Sequence, residues 1–276
     1  MTQNTGTVIA VGGIAFQLFD EDVEFQGRYD YLLVGSDSVP QKSLAVYVSD
    51  RDFHEVPRNS EVAVNLFSGG LRIEKKDCWR AEYLEVAGRV NIEISRKLLQ
   101  IDANSRAVVV SSVLRILVCE LRRREGVLLF HASSVVSGGQ AHLFLGESGV
   151  GKSTVCKLSG DRSLLGDEIA VVSPVDEGER FLVEPSPFVS ERNLPRRSSI
   201  SYPLGSLNFL EQSKEEERVR IDVRLALPQA MRCMLHFSDI PHEHELALDN
   251  ALRMLSSVPA YRLRFSLSDK FWRLID

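Results

Sequence analysis

The stretch Leu143-Phe144-Leu145-Gly146-Glu147-Ser148-Gly149-Val150-Gly151-Lys152-Ser153-Thr154 decides how the rest of the chain is read. It fits the pattern GxxxxGK[ST] at Gly146, Gly151, Lys152 and Ser153. Glycines open backbone torsions closed to other residues, so successive N–H groups can converge on phosphate oxygens. A helix expected from Ser153 to about Ser159 turns the positive end of its dipole toward the same point. Lys152 brings a mobile charge to β- and γ-phosphates, and the Ser153 hydroxyl is a hard oxygen suited to Mg²⁺. The whole segment Gly146 to Thr154 is therefore the expected nucleotide-binding loop, with ATP and Mg²⁺ as its ligands. The apolar strand before it and the helix after it supply the context that a chance glycine loop lacks.

Asp167 and Glu168 follow closely on Lys152. The interval accommodates one short helix and one short strand, Ser163 to Leu165, so both acids should emerge beside the loop. One of the two carboxylates would complete the Mg²⁺ shell, and the other could take a proton from an attacking hydroxyl. His131 lies upstream of the loop, on the expected strand Val127 to Val136. A lone histidine on a strand is usually structural.

Working outward, Val127 to Val136 and Ala141 to Leu145 read as strands joined by a turn at Ser137-Gly138-Gly139-Gln140. Ile169 to Pro174 and Arg180 to Glu184 read as a hairpin around Asp176-Glu177-Gly178. Residues 185–203 read as a loop, Leu207 to Leu210 as a strand and Lys214 to Arg218 as a charged exposed turn. Leu227 to His236 and Glu245 to Ser256 read as helices, and Tyr261 to Phe265 as a late strand. Upstream, Ser105 to Arg124 has apolar residues at helical spacing and ends in Arg122-Arg123-Arg124, expected as a solvated helix end that Gly126 stops. The segment before it reads as β-rich, with strands at Tyr29 to Val34, Leu44 to Val48, Glu61 to Phe67, Trp79 to Ala87 and Val90 to Ile94. Two units are thus expected: 1–104, a smaller β-rich module for docking or covering, and 105–276, carrying the loop.

Composition bounds the function classes. Of 276 residues, 44% are hydrophobic and 26% charged, ordinary for a globular protein. A formal net charge of −5 argues against binding nucleic acid through phosphate neutralisation. No apolar run reaches the roughly 20 residues of a membrane span, and the first residues lack a signal-peptide pattern. Cys78, Cys119, Cys156 and Cys233 have no framework spacing, so a reducing, cytoplasmic setting is expected.

The early histidine, GESGVGKST and the closely following LLGDE together resemble the catalytic domain of the HPr kinase/phosphorylase family and its phosphoenolpyruvate carboxykinase-like relatives. The likeness spans Val127 to the C-terminus and is specific over Phe130 to Val172; Pro203 to Leu210 and Val258 to Leu263 also look like the HPr-kinase-related branch. It implies an α/β (α+β) fold, an HPr kinase/PEP carboxykinase-like catalytic domain behind a smaller β-rich one. It also implies a Mg-ATP-dependent kinase acting on a hydroxyl of a protein, a peptide or a small molecule. By the resemblance, Lys152 is the phosphate-loop lysine, Ser153 a metal ligand, and His131 the active-site histidine. Asp167 and Glu168 stand where the family has paired aspartates, the second being the general base; Glu168 departs from that residue by one methylene. Residues 1–125 do not resemble HPr kinase, so HPr is not the expected substrate. The expected partners are ATP and a protein or peptide acceptor, with self-association into a homo-oligomer left open.

Arg192, Arg196 and Arg197 lie in the loop after the second hairpin, where phosphoryl transfer can use an arginine, and Glu191 is a further candidate metal ligand. His236, His242 and His244 lack a companion ligand at recognisable spacing and are expected to be separate exposed side chains. A carboxykinase-like transferase would need further oxyacid and metal ligands. A regulator that binds nucleotide without turnover is the non-enzymatic alternative, with Glu168 as its one hint.

Overall fold

The computed structural model describes residues 7–20, 42–53, 62–101, 104–188, 197–237 and 241–276. It is a mixed α/β structure built on two sheets. The first sheet holds β1 (Thr7–Val11), β2 (Ile14–Asp20), β3 (Lys42–Arg51), β4 (Val62–Phe67), β5 (Gly70–Lys75), β6 (Trp79–Leu84) and β7 (Arg89–Ser95). Their order is β1-β2-β3-β7-β6-β5-β4, with β2, β3 and β7 parallel. Gly12 and Gly13, with φ of +56° and +71°, close the first hairpin as a two-residue turn whose central positions both require positive φ. One sheet face is buried in alternation, with Val46 and Val48 on β3 standing opposite Val90 and Ile92 on β7.

That face packs on α2 (Ser105–Arg122), which follows the short α1 (Arg96–Ile101). Val110, Val113, Leu114, Leu117 and Val118 of α2 are wholly buried, each contributing about 1.5–3 kcal/mol of transfer free energy. The same core runs on to Leu129, Ile169 and Val171 of the second sheet, so α2 lies between the two sheets. Arg106 ties its start to Asp20 at 2.6 Å and to Asp50.

The second sheet contains β8 (Leu128–Ser137), β9 (Gln140–Leu145), β10 (Leu164–Gly166), β11 (Ile169–Val175), β12 (Arg180–Glu184), β13 (Tyr202–Gln212), β14 (Glu217–Ile221) and β15 (Ala260–Phe265). The long strands β8 and β13 each change partners along their length. β8 pairs β11 through residues 128–131 and β9 through 132–137. β13 pairs β12 at its start and then β9, which closes the ring β8-β11-β12-β13-β9. The helices α3 (Lys152–Lys157), α4 (Val223–Cys233) and α5 (Pro241–Ser257) complete the unit. Among the described residues, no helix is long and apolar enough to cross a membrane.

Several expectations are corrected. Residues 29–34 lie outside the described residues. β1, β2 and β5 are strands outside the expected set, and the expected turn at Lys214 to Arg218 runs into β14, whose Glu217 to Ile221 pair antiparallel with β15. The second-last helix starts at Val223, because the Asp222 carboxylate accepts the Arg224 N–H at 2.8 Å, and it tolerates Pro228 in its second turn. The arginine run is no solvated end: Arg122 donates to the Gly12 carbonyl, and Arg123 is buried against Glu120 and Glu243. Only Arg124 of the three is exposed.

Candidate functional site

The loop between β9 and α3 carries its glycines in conformations that other residues resist. Gly146, Gly149 and Gly151 have φ of +149°, +82° and +118°. Gly151 caps α3, and a Cβ there would stand 2.5 Å from the Phe265 ring, so the position excludes a side chain on space as well as torsion. Gln212 holds the loop from the β13 side, its amide donating to the Gly149 and Val150 carbonyls at 3.1 and 3.3 Å. Ser133 of β8 donates to the Lys152 carbonyl at 3.3 Å.

Lys152 is buried, and its ammonium donates to the Gly146 and Glu147 carbonyls at 2.8 and 2.9 Å. The loop is thus folded around its own lysine, and burial pulls that amine below its usual range. An incoming phosphate would have to draw the ammonium off these carbonyls.

The acids emerge where β10 gives way to β11. The Glu168 carbonyl accepts the Ala132 N–H at 3.1 Å, which pins the turn to β8, and Ile169 stands opposite His131 in the ladder. Asp167 is almost fully buried, and Arg197 donates to it at 3.3 Å. The second terminal nitrogen of Arg197 is buried with no hydrogen-bond partner among the described residues. Glu168 is gripped by Arg115, whose two terminal nitrogens meet its two oxygens at 2.9 and 3.1 Å. His131 is held below its ordinary pKa, first by burial and then by the Lys152 charge, so its imidazole is neutral at neutral pH.

Two cavities flank the loop. The smaller, about 320 Å³, is lined by His131, Lys152, Ser153, Thr154, Asp167 and Glu168 together with Ser148, Gly149 and Gly151. The larger, about 880 Å³, lies on the side of β13 and α4 and shares His131, Ser148 and Gly149 with the smaller. Gly146, Glu147 and Val150 face the larger one. The residues singled out from sequence for catalysis and metal binding therefore meet at one cavity. A hydroxyl and a carboxylate are hard oxygen donors, and Mg²⁺ draws few ligands from protein beside those of phosphates, so Ser153 and Asp167 fit that ion. Among the described residues, no cluster of three or more His, Cys, Asp or Glu could hold a metal.

Glu191, Arg192 and Arg196 lie outside the described residues. Of the histidines expected to be separate, His236 and His244 in fact lie together, their rings tilted by 44° with centroids 3.8 Å apart and Nε2 atoms 3.2 Å apart. Arg115 is a site residue that sequence reasoning misses, because nothing in the pattern of a mostly buried helix marks one arginine for a carboxylate on a distant turn. Cys233 is missed likewise; burial pushes its thiol up, opposed by the Gly146 N–H and Lys152.

Residues 96–276 match the family described as SynChlorMet cassette protein ScmC. No curated protein matches the chain. Among solved structures, the HPr(Ser) kinase/phosphatase from Coxiella burnetii is similar over 53% of this chain and 90% of its own, at 7% identity and a TM-score of 0.31. Likeness at that level carries no argument about activity. The family shown is not HPr kinase: over roughly its last two thirds the sequence matches ScmC, and the chain belongs to the ScmC family.

Proposed function

We propose that the chain is a Mg-ATP-dependent phosphotransferase that moves a phosphoryl group to a hydroxyl of a protein, peptide or small molecule. The observation that carries this reading is the cavity of about 320 Å³ onto which the loop lysine, a hydroxyl, two acids and a histidine all converge. Phosphoryl transfer asks for little covalent chemistry from a protein; it asks for positioning and for charge where the transition state needs it. Lys152 and the loop amides bind and orient phosphate oxygens. Ser153 and Asp167 would hold Mg²⁺, which when bound neutralises charge on the β- and γ-oxygens. Glu168 accepts the proton of the acceptor hydroxyl, and His131, neutral, is placed to donate or accept a hydrogen bond at the same phosphoryl group. Arg115 orients the Glu168 carboxylate, leaving lone pairs on both oxygens for that proton. A reducing, cytoplasmic compartment, which keeps the four cysteines as thiols, belongs to the same proposal.

A second reading, a regulator that binds nucleotide without transferring phosphate, draws support from two observations. The Glu168 carboxylate is already forked by Arg115, and the Lys152 ammonium is already satisfied by loop carbonyls. Measuring ADP formation from MgATP with candidate hydroxyl acceptors separates the two. The kinase reading expects acceptor-dependent ADP that Glu168→Ala suppresses. Binding without transfer, indifferent to Glu168→Ala, favours the regulator.

A further inference from the structure

We propose that the phosphate loop divides its substrates by side: the cavity of about 880 Å³ takes the nucleoside of the triphosphate, and the cavity of about 320 Å³ takes the transferred phosphoryl group and the acceptor hydroxyl. This rests on the phosphotransferase reading and adds to it which face each substrate enters.

Asp167 and Glu168 line the smaller cavity and not the larger. A general base works within hydrogen-bond reach of the proton it takes, so the acceptor hydroxyl has to arrive on the Glu168 side. In phosphoryl transfer the attacking and leaving oxygens lie roughly in line on opposite sides of the phosphorus. The diphosphate therefore departs away from Glu168, across Ser148 and Gly149, the loop residues common to both cavities. Beyond them lies the larger cavity.

Its lining suits a nucleoside. Leu145, Val150 and Phe209 provide an apolar wall for a planar base. From α4, Gln229 donates one amide N–H to the Leu225 carbonyl at 2.9 Å, which leaves its second N–H and its oxygen for base edges. Glu211, half-exposed and paired with Arg264 at 3.2 Å, keeps lone pairs that can accept from ribose hydroxyls, as a carboxylate does in other nucleotide sites. A volume near 880 Å³ falls within the range of small-molecule sites, about 300–1,000 Å³, whereas the smaller cavity is at its lower end.

The test is calorimetric and compares two probes, MgATP and inorganic tripolyphosphate with Mg²⁺, on wild type, Gln229→Trp and Gln229→Ala. The tryptophan fills the larger cavity from α4. It should weaken MgATP by about tenfold or more while leaving tripolyphosphate within about twofold, and retained tripolyphosphate binding shows that the variant is folded. Gln229→Ala, which adds no bulk, should weaken MgATP alone by a smaller factor. Equal loss of both probes in Gln229→Ala, or unchanged MgATP affinity in the folded Gln229→Trp protein, overturns the assignment of sides. Wild-type protein that binds neither probe overturns the phosphotransferase reading, and this inference with it.

Discussion

Arg115 joins Glu168 through a two-pronged contact, 2.9 and 3.1 Å, that spans the gap between the central helix and the turn beside the glycine-rich loop. The guanidinium also stacks 5.2 Å from the centre of the Phe188 ring, and one of its terminal nitrogens meets the Ser111 hydroxyl at 3.2 Å. An arginine held on so many sides can fix the direction of a carboxylate. Because α2 is packed against the first sheet and tied to it through Arg106, that sheet helps set where Glu168 stands.

Replacing Arg115 by alanine should lower ADP formation by about 10²-fold while leaving MgATP affinity nearly unchanged, the signature of a lost base orientation rather than a lost binding contact. Guanidinium ion in solution should restore part of the rate. Arg115→Lys should not, since an ammonium cannot fork a carboxylate. Steady-state kinetics of the three proteins decides it; an alanine variant with wild-type turnover shows that Glu168 needs no such partner.

Gly151→Ala should be among the most damaging changes of a single methyl group. It forces a side chain into φ of +118° and against Phe265, which itself packs with Phe271 at 5.7 Å between centroids. The expected loss is about 1–3 kcal/mol of stability, read from the midpoint of urea unfolding, together with loss of nucleotide uptake. A variant of native stability means that the cap position is more permissive than its torsion implies.

How much of this is legible in the sequence differs by kind of feature. The glycine-rich loop between β9 and α3 and the two acids beside it are readable because they are local: the glycines, Lys152, Ser153, Asp167 and Glu168 fall in one short stretch of chain. Buried alternating strands such as β6 and β7 are readable for the same reason, since period two is written in consecutive residues. β14 is not: Glu217 to Ile221 is largely exposed, with charges that pair across to Arg264 of β15, so its hydropathy pattern resembles a loop. Gly12-Gly13 carries a hairpin signal, but only the paired strands on either side give it meaning. The fates of Arg122 and Arg123 are hidden because their partners, Gly12 and Glu243, lie far off along the chain. Contacts between distant segments are what a linear pattern leaves out.

The link between α2 and the first sheet is open to a direct test. Arg106 and Asp20 are both almost fully buried and 2.6 Å apart. Arg106→Ala takes the guanidinium away from the buried Asp20 carboxylate and should cost about 3–5 kcal/mol in equilibrium unfolding. Removing the buried pair, as Arg106→Met with Asp20→Leu, should recover part of that loss, since the half-exposed Asp50 that also pairs with Arg106 can turn to water. Arg106→Ala of unchanged stability contradicts the buried pairing.

Stability should also fall in mild acid through His142. This imidazole is buried beside Ser206, and burial, followed by the Arg218 charge, lowers it from 6.5 to about 4. Between those values the unfolded chain binds a proton that the folded chain does not, so stability rises with pH across that window and drains away as pH falls. The contribution is on the order of 3 kcal/mol. Unfolding free energies between pH 7 and pH 4 should show this slope in wild type and a flatter one in His142→Asn; equal slopes in the two proteins rule the imidazole out as its source.

Calorimetric titration of ATP, with and without magnesium, into wild type and Lys152→Ala tests most directly whether this loop is a nucleotide site. The account predicts ATP uptake by wild type that is strengthened by Mg²⁺ and weakened at least about tenfold by Lys152→Ala. Uptake that ignores both the ion and the lysine, or no uptake at all, contradicts it.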